Sequence, residues 1–260
     1  MHTICVVVGS RADRGLLEWP MKVLREDGAF TVVVNVPAEE RPFPDLILLL
    51  GDREEIMCAA MMAHLRRIPI AHIAGGDVTE GSYDDAMRDC ISRLATLHFP
   101  TSPQSAFRLR QMGYMWVYDI GNLALDYIEQ GDWKRERPIE EPYVVVSYQA
   151  ETIDGTVDLP AVERAVAGRK AIWIKPNPDR GNEAIPATEE FSHADFLNLL
   201  YHCEEFIGNS SSMFYEAPFL GVKTKIIGKR QKGRMIPQGD GHSSERIVAH
   251  IKEYLDTAHC

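Results

Sequence analysis

Short unbroken apolar runs that stop at glycine or a polar turn constrain this chain most. Residues 4–8 read Ile-Cys-Val-Val-Val and run into Gly9-Ser10-Arg11-Ala12-Asp13. Leu46–Leu50 ends in Gly51-Asp52-Arg53, and 68–73 ends in Ala74-Gly75-Gly76-Asp77. An apolar run without alternation is a strand buried on both faces, as in a parallel sheet covered by helices. Helical patterns follow at 16–24, 54–66, 79–97 and 106–112, and 117–120 reads as a further strand. The pattern restarts at Tyr143-Val144-Val145-Val146-Ser147, after a polar stretch with Pro138 and Pro142. It continues through strands at 171–174, 206–207 and 224–227, with helices at 159–167, 193–201 and 245–255. We therefore expect an α/β chain of two Rossmann-like domains facing across a cleft. The boundaries are 1–130 for a compact first domain, 131–142 for a linker and 143–260 for the second. The link between Phe30–Val34 and Leu46–Leu50 is too short for a crossover helix, which predicts an antiparallel or irregular pair there.

The bulk numbers narrow the classes of partner. With 260 residues and 45% hydrophobic composition the chain has ample core. The net charge is 28 − 38 = −10. An acidic chain is not built as a general polyanion binder, so nucleic acid is not favoured. The five cysteines are scattered without metal-ligand spacing, so we expect reduced thiols, a cytoplasmic protein and no metal. The first strand starts almost at once, leaving no room for a signal peptide. The apolar runs are far short of the roughly 20 residues that span a bilayer, so no membrane partner is expected.

Residues 206–234 concentrate the polar chemistry. A short strand stops at Gly208-Asn209, then come Ser210, Ser211 and Ser212 and a segment that can be helical from Met213. A serine cap on a helix that follows a strand makes an anion site, because free N–H groups and the positive dipole end face the ligand. Glu216 lies one turn further, placed for sugar hydroxyls, and Lys229, Arg230, Lys232 and Arg234 add a cationic clamp. The serines alone read as a plain helix cap; together with Glu216 and the arginines they point to a phosphate-bearing ligand. In parallel sheets ligands bind beyond the carboxyl ends of the strands, where Arg11 stands. Asp84 and Arg88 form an i,i+4 pair which, read alone, is a surface ion-pair ladder. His64, His72, His98, His193 and His202 read as structural or solvated.

Several motifs then coincide in order: Gly-Ser-Arg-Ala-Asp at Gly9, Leu-Gly-Asp-Arg-Glu-Glu at Leu50, and Ala-His-Ile-Ala-Gly-Gly-Asp-Val-Thr-Glu-Gly at Ala71. Asp84 and Arg88 follow, then Gly-Asn-Ser-Ser-Ser at Gly208, Glu-Ala-Pro at Glu216 and Gly-Lys-Arg-Gln-Lys-Gly-Arg at Gly228. This series closely resembles the hydrolysing UDP-N-acetylglucosamine 2-epimerases, the sialic-acid-pathway branch in particular. The resemblance implies a two-domain fold of the glycosyltransferase GT-B type. It implies UDP against the second domain, with Ser210, Ser211 and Ser212 on phosphate, Glu216 on the ribose, and Phe196 and Arg230 around the nucleotide. Arg11 would reach the phosphates from the first domain. The family's reaction eliminates UDP to a glycal and then adds water. Its proton transfers need carboxylates, and Asp52, Asp77 and Asp84 stand at those positions with Arg88 beside them. Crowding among them would raise at least one pKa. The substrate is a UDP-sugar, no cofactor is implied, and relatives are often homodimers.

The departures matter as much. Asp77 stands where the family has glutamate, and Asp89 where it has histidine. Gln149-Ala150 replaces His-Pro; glutamine can hydrogen-bond a phosphate but cannot transfer a proton near neutrality. The chain is also shorter, mostly between Val34 and Pro44. A hydrolysing 2-epimerase is the leading reading. A GT-B glycosyltransferase passing the sugar to an acceptor, even a hydroxymethylated base in DNA, is the second. A non-catalytic UDP-sugar sensor is the third.

Overall fold

The computed structural model describes residues 1–35, 43–177, 181–186, 189–234 and 236–258; the side chains of Arg11 and Ala258 lie outside that description. Residues 36–42, where most of the shortening was expected, also lie outside it. In order come β1 (His2–Val6), α1 (Arg11–Glu26), β2 (Phe30–Val34), β3 (Leu46–Leu50), α2 (Glu54–Leu65) and β4 (Ile70–Ile73). Then follow α3 (Asp84–Leu94), β5 (Leu97–Phe99), α4 (Pro103–Gln111) and α5 (Ala124–Gln130). The second half holds β6 (Tyr143–Ser147), α6 (Leu159–Val166), β7 (Lys170–Trp173), a 3-10 turn at Asn182–Ala184 and α7 (His193–His202). It ends with β8 (Phe206–Gly208), α8 (Ser212–Tyr215), β9 (Thr224–Ile226) and α9 (Ser243–Ala258). The chain divides into two compact units. The first is Met1–Val78, Asp84–Tyr127 and Pro237–Cys260; the second is Thr79–Tyr83 and Ile128–Ile236.

The first unit is a five-stranded sheet in the order β2-β1-β3-β4-β5, parallel throughout. All five residues of β3 are buried. Leu46, Leu48 and Leu50 pack with α1 and α9 on one face, and Ile47 and Leu49 with α2 and α3 on the other. The unbroken run thus reports a strand with helices on both sides. β2 and β3 do not form the antiparallel or irregular pair expected from their short link. Each pairs with β1 in parallel, one on either side. About ten residues can span over 30 Å, which is enough to step across one strand. The strand expected at 117–120 is reduced to a single bridge between Val117 and His98.

α1 starts early because Ser10 and Asp13 form a reciprocal cap. The Ser10 hydroxyl accepts from the Asp13 N–H at 3.2 Å, and the Asp13 carboxylate accepts from the Ser10 N–H at 2.8 Å. Pro20 lies inside the helix, where it removes one backbone donor without ending it.

The second unit carries a four-stranded parallel sheet, β7-β6-β8-β9. α7 and Met213 cover one face and α6 the other. β6 and β8 meet closely at Gly208, whose φ is +135°; a Cβ there would overlap the Ser147 carbonyl oxygen. Only glycine suits both the space and that backbone conformation.

Two boundaries differ from expectation. α9 belongs to the first unit, not to a domain running to residue 260. It buries Ile247, Val248, Ile251 and Leu255 in the core beside α1. Asp126 caps it from outside its own sequence, accepting from the Ser243 and Ser244 N–H groups at 2.9 and 2.5 Å. The helix expected from residue 79 begins at Asp84, and Thr79–Tyr83 packs within the second unit instead. Among the described residues no helix is long and apolar enough to cross a membrane.

Candidate active site

The carboxyl ends of the first unit's strands gather charge around one arginine. Arg88 on α3 is only 4% exposed. It pairs with Asp52, just past β3, and with Asp85 one turn back on its own helix, and it donates to the Asp77 carbonyl at 2.7 Å. Arg88 is therefore buried rather than part of a surface ladder: on α3 it pairs with Asp85 at i,i+3, and it also reaches across to other elements. Asp84 opens α3 and is half-buried. Asp52 and Asp85 do not stand as bare like charges, because the guanidinium bridges them. Asp13 at this sheet end has its pKa raised, mainly by burial and against the pull of its Ser10 hydrogen bond; repulsion from Asp52 is its smallest cause. Crowding is thus not what shifts it.

His72 on β4 fixes this arrangement from beneath. Its ring is fully buried, with Nε2 2.7 Å from the Gly51 carbonyl oxygen and Nδ1 3.0 Å from the Ser92 hydroxyl. A carbonyl only accepts, so Nε2 carries the proton and Nδ1 accepts from Ser92. Burial pushes the pKa down to about 3 and keeps the ring neutral. It ties the residue before Asp52 to the helix that carries Arg88.

Asp77 is engaged elsewhere. Its carboxylate accepts from Ser105 Oγ at 2.6 Å and from Thr101 Oγ1 at 3.0 Å. Ser102 caps α4 in the same turn, accepting from the Ser105 N–H at 3.2 Å. The carboxylate thus sits at the positive end of that helix. Asp89, in the family's histidine position, pairs with Arg108 at 2.8 Å. Arg11 opens α1, but its side chain lies outside the described residues.

In the second unit a buried amide network surrounds Gln149. Asn209, fully buried, accepts from the Gln149 N–H and donates to the Gln149 carbonyl, each at 2.8 Å. Gln149 Oε1 accepts from the Asn177 N–H at 3.0 Å and from Asn182 Nδ2 at 2.8 Å. Asn182 Oδ1 accepts from the Ala150 N–H at 2.6 Å. The oxygen end of Gln149 is thus fixed on the loop after β7, and its amide nitrogen has no partner among the described residues. That nitrogen is a neutral donor for a ligand oxygen.

Asn209 leads into the serines. Ser210 Oγ accepts from the Ser212 N–H at 3.3 Å. The half-buried hydroxyls of Ser211 and Ser212 have no hydrogen-bond partner among the described residues. Ser211 precedes α8 without making the side-chain cap expected of it, and α8 is a single turn. The anion-binding capacity here therefore rests on free hydroxyls more than on a helix dipole. Glu216, 6% exposed, follows α8, with Oε1 3.8 Å from His193 Nε2 at the start of α7. Phe196 is half-buried against the α7 core and meets Phe206 edge-on at 6.0 Å. Arg230 donates to the Ala150 carbonyl at 2.8 Å, beside Gln149.

Asp13, His72 and His193 carry more of these sites than their spacing in the chain shows. His193 stands 23 residues before Glu216, and no local pattern joins them. The amides of Asn182 and Gln231 likewise have meaning only through the loops they tie to Gln149 and Asn209.

The model of the UDP-N-acetylglucosamine 2-epimerase family matches residues 35–259. The chain is 28% identical over 226 residues to the GDP/UDP-N,N'-diacetylbacillosamine 2-epimerase (hydrolyzing) of Campylobacter jejuni, covering 75% of this chain and 59% of that protein. It is 29% identical over 217 residues to the UDP-N-acetylglucosamine 2-epimerase of Neisseria meningitidis, covering 74% and 57%. It thus spans less than three fifths of the length of these two relatives. Its fold is similar to that of S. aureus MnaA, solved with UDP, at a TM-score of 0.77 and 18% identity over 98% of this chain and 97% of that one. With two parallel α/β units and this match over most of its length, the chain belongs to the UDP-N-acetylglucosamine 2-epimerase family.

Proposed function

We propose that the protein is a UDP-sugar-utilising enzyme of the hydrolysing 2-epimerase type. It takes UDP-N-acetylglucosamine, releases UDP and yields N-acetylmannosamine. The second unit holds the nucleotide. Ser210, Ser211 and Ser212 bind phosphate through their hydroxyls, Gln149 donates through its free amide nitrogen, Glu216 takes the ribose hydroxyls, and Phe196 and Arg230 complete the surroundings. The first unit supplies the proton chemistry.

In the first step a carboxylate removes the C2 proton as the C1–O bond breaks, and the electron pair leaves with UDP to give the glycal. In the second, water adds its oxygen to C1 while a proton returns to the other face of C2. The sum is hydrolysis with inversion at C2, needing neither oxidant nor reductant. Asp52 and Asp84 are the proton-transfer groups. Arg88 positions Asp52 rather than touching the sugar, since its donors go to Asp52, Asp85 and the Asp77 carbonyl. Asp77 is held by Thr101 and Ser105 on the α4 side.

The observation that carries the reading is the cradle of unpartnered donors at Gln149, Ser211 and Ser212 in a chain of this family. The test is proton NMR of UDP-N-acetylglucosamine with the protein alone. N-acetylmannosamine with deuterium at C2 in heavy water is the expected product. UDP release that requires an added acceptor would instead favour sugar transfer.

A further inference from the structure

Within the second unit, Thr79, Glu80 and Gly81 are each bound to the loop 229–234. Thr79, 2% exposed, accepts at Oγ1 from Arg234 Nη2 at 3.0 Å. Glu80 pairs with Lys232 Nζ at 3.1 Å and lies over Gly233, where a Cβ would come within 2.8 Å of its Cγ. The Gly81 N–H donates to the Lys232 carbonyl at 3.3 Å. Any Cβ on Gly81 would overlap the Lys229 carbonyl oxygen, so the two backbones touch directly. Arg234 also donates through Nη1 to Tyr215 Oη at 2.9 Å, its guanidinium 5.5 Å from the ring centre. It has no carboxylate partner among the described residues. Its two bonds go to hydroxyls, one at the end of α8 and one on Thr79.

The other side of the loop is fastened to the cradle. The Lys229 N–H donates to Glu151 at 2.9 Å, Arg230 donates to the Ala150 carbonyl at 2.8 Å, and Gln231 Nε2 donates to the Asn209 carbonyl at 2.8 Å. Asn209 precedes Ser210 and clasps Gln149. One loop thus grips the nucleotide cradle and the segment 79–81 at once. That segment is flanked by Asp77, two residues before it begins, and by Asp84, one residue after Tyr83.

We propose that Arg234 is a positioning residue. By holding Thr79 it fixes the segment that links Asp77 to Asp84, so occupancy of the cradle and the order of this link depend on the same loop. The proposal rests on the nucleotide-sugar reading above for what the carboxylates do, though not for the docking itself. Arg234 reaches the segment through a hydroxyl, so breaking that bond loosens the segment while the serines and Glu216 remain in place.

The experiment compares wild type, Thr79→Val, Arg234→Gln and the double variant. It reads backbone amide exchange over 79–85 with and without UDP, UDP affinity by calorimetry, and kcat for UDP release from UDP-N-acetylglucosamine. Each single variant should speed exchange over 79–85 at least tenfold and lower kcat at least tenfold. UDP affinity should stay within threefold for Thr79→Val. The double variant should be no worse than Arg234→Gln, because both single variants remove the Thr79–Arg234 bond and Arg234→Gln removes the bond to Tyr215 as well. Unchanged exchange, additive losses, or a fall in UDP affinity that matches the fall in kcat would each overturn the proposal. If Arg234→Gln does not fold, Thr79→Val, which keeps the side-chain shape, decides by the same readouts. A wild type that neither binds UDP nor releases it would refute the reading of function. The ligand-free exchange comparison would still decide the docking: faster exchange sustains it and unchanged exchange refutes it.

Discussion

Acid should destabilise this protein through two buried histidines before its carboxylates are protonated. His72 and His98 face each other across β4 and β5 and are 0% and 1% exposed. Burial pushes their pKa values down to about 3 and about 4 from an ordinary 6.5. In the folded state both rings are still neutral at pH 5, whereas the unfolded chain has protonated both. The unfolded state binds more protons between these limits, so stability falls as pH drops below 6.5. A tenfold change in proton activity is worth about 1.4 kcal/mol per group, so each ring costs about 2 kcal/mol at pH 5. The loss levels off for His98 near pH 4 and for His72 near pH 3. The clean perturbation is His98→Phe. His98 Nδ1 is buried without a partner among the described residues, and the ring stacks on Tyr114 at 4.4 Å. Phenylalanine keeps the stack, needs no hydrogen bond and does not titrate. Urea unfolding at pH 7 and pH 5 should show wild type losing about 2 kcal/mol more than His98→Phe. Comparing the two proteins cancels other groups, including Asp13 and Asp126, whose raised pKa values act in the opposite sense. Equal losses in the two proteins would show that His98 is protonated in the folded state and would refute the reasoning.

Four further outcomes follow from particular contacts. Arg88→Met leaves Asp52 and Asp85 unbridged; a fully buried pair would cost about 3–5 kcal/mol, and the 17% and 28% exposure of these carboxylates brings the expectation to about 2–3 kcal/mol in urea unfolding at pH 7, shrinking on acidification. Gly208→Ala forces a Cβ into the Ser147 carbonyl and should cost about 3 kcal/mol or more, read as a lower midpoint or loss of soluble protein. Glu216→Ala should weaken UDP at least tenfold by calorimetry, since a charge-assisted hydrogen bond is worth roughly 1.5–3 kcal/mol; unchanged affinity would remove Glu216 from the site. Gln149→His should raise acceptor-free UDP release up to about a hundredfold, because an imidazolium offsets charge on the departing phosphate and a neutral amide does not; no gain would show that the amide is no handicap.

The apolar runs at β1, β3, β4 and β6, the glycine turns after them and the helical stretches between them were legible as an α/β chain of two parallel-sheet halves. Burial on two faces and helical periodicity are written locally, in consecutive residues. The ordered motifs were legible for the same reason, since each is a short string at one strand end. What the string could not specify was partnership at long range. β2 and β3 carry the same apolar signal whether they pair together or flank β1. α9 is amphipathic wherever it docks, and Asp126, the Ile120 carbonyl, Tyr118 and the α1 face draw it to the first unit. Arg88 stands three residues from Asp85 and four from Asp84, and its burial against Asp52 depends on how β3 lies beside α3. His72 reads as one apolar-strand histidine among several until Gly51 and Ser92 are found on either side of it. Gln149 reads as a lost histidine, and the loops that bring Asn177, Asn182 and Asn209 around it leave its amide nitrogen as the free donor. Local sequence sets what each segment can be, because its determinants are a few residues apart. Charge pairing, tautomer and the docking of Thr79–Tyr83 on loop 229–234 come from contacts made between residues far apart in the chain, and those exist only once the sheets have formed.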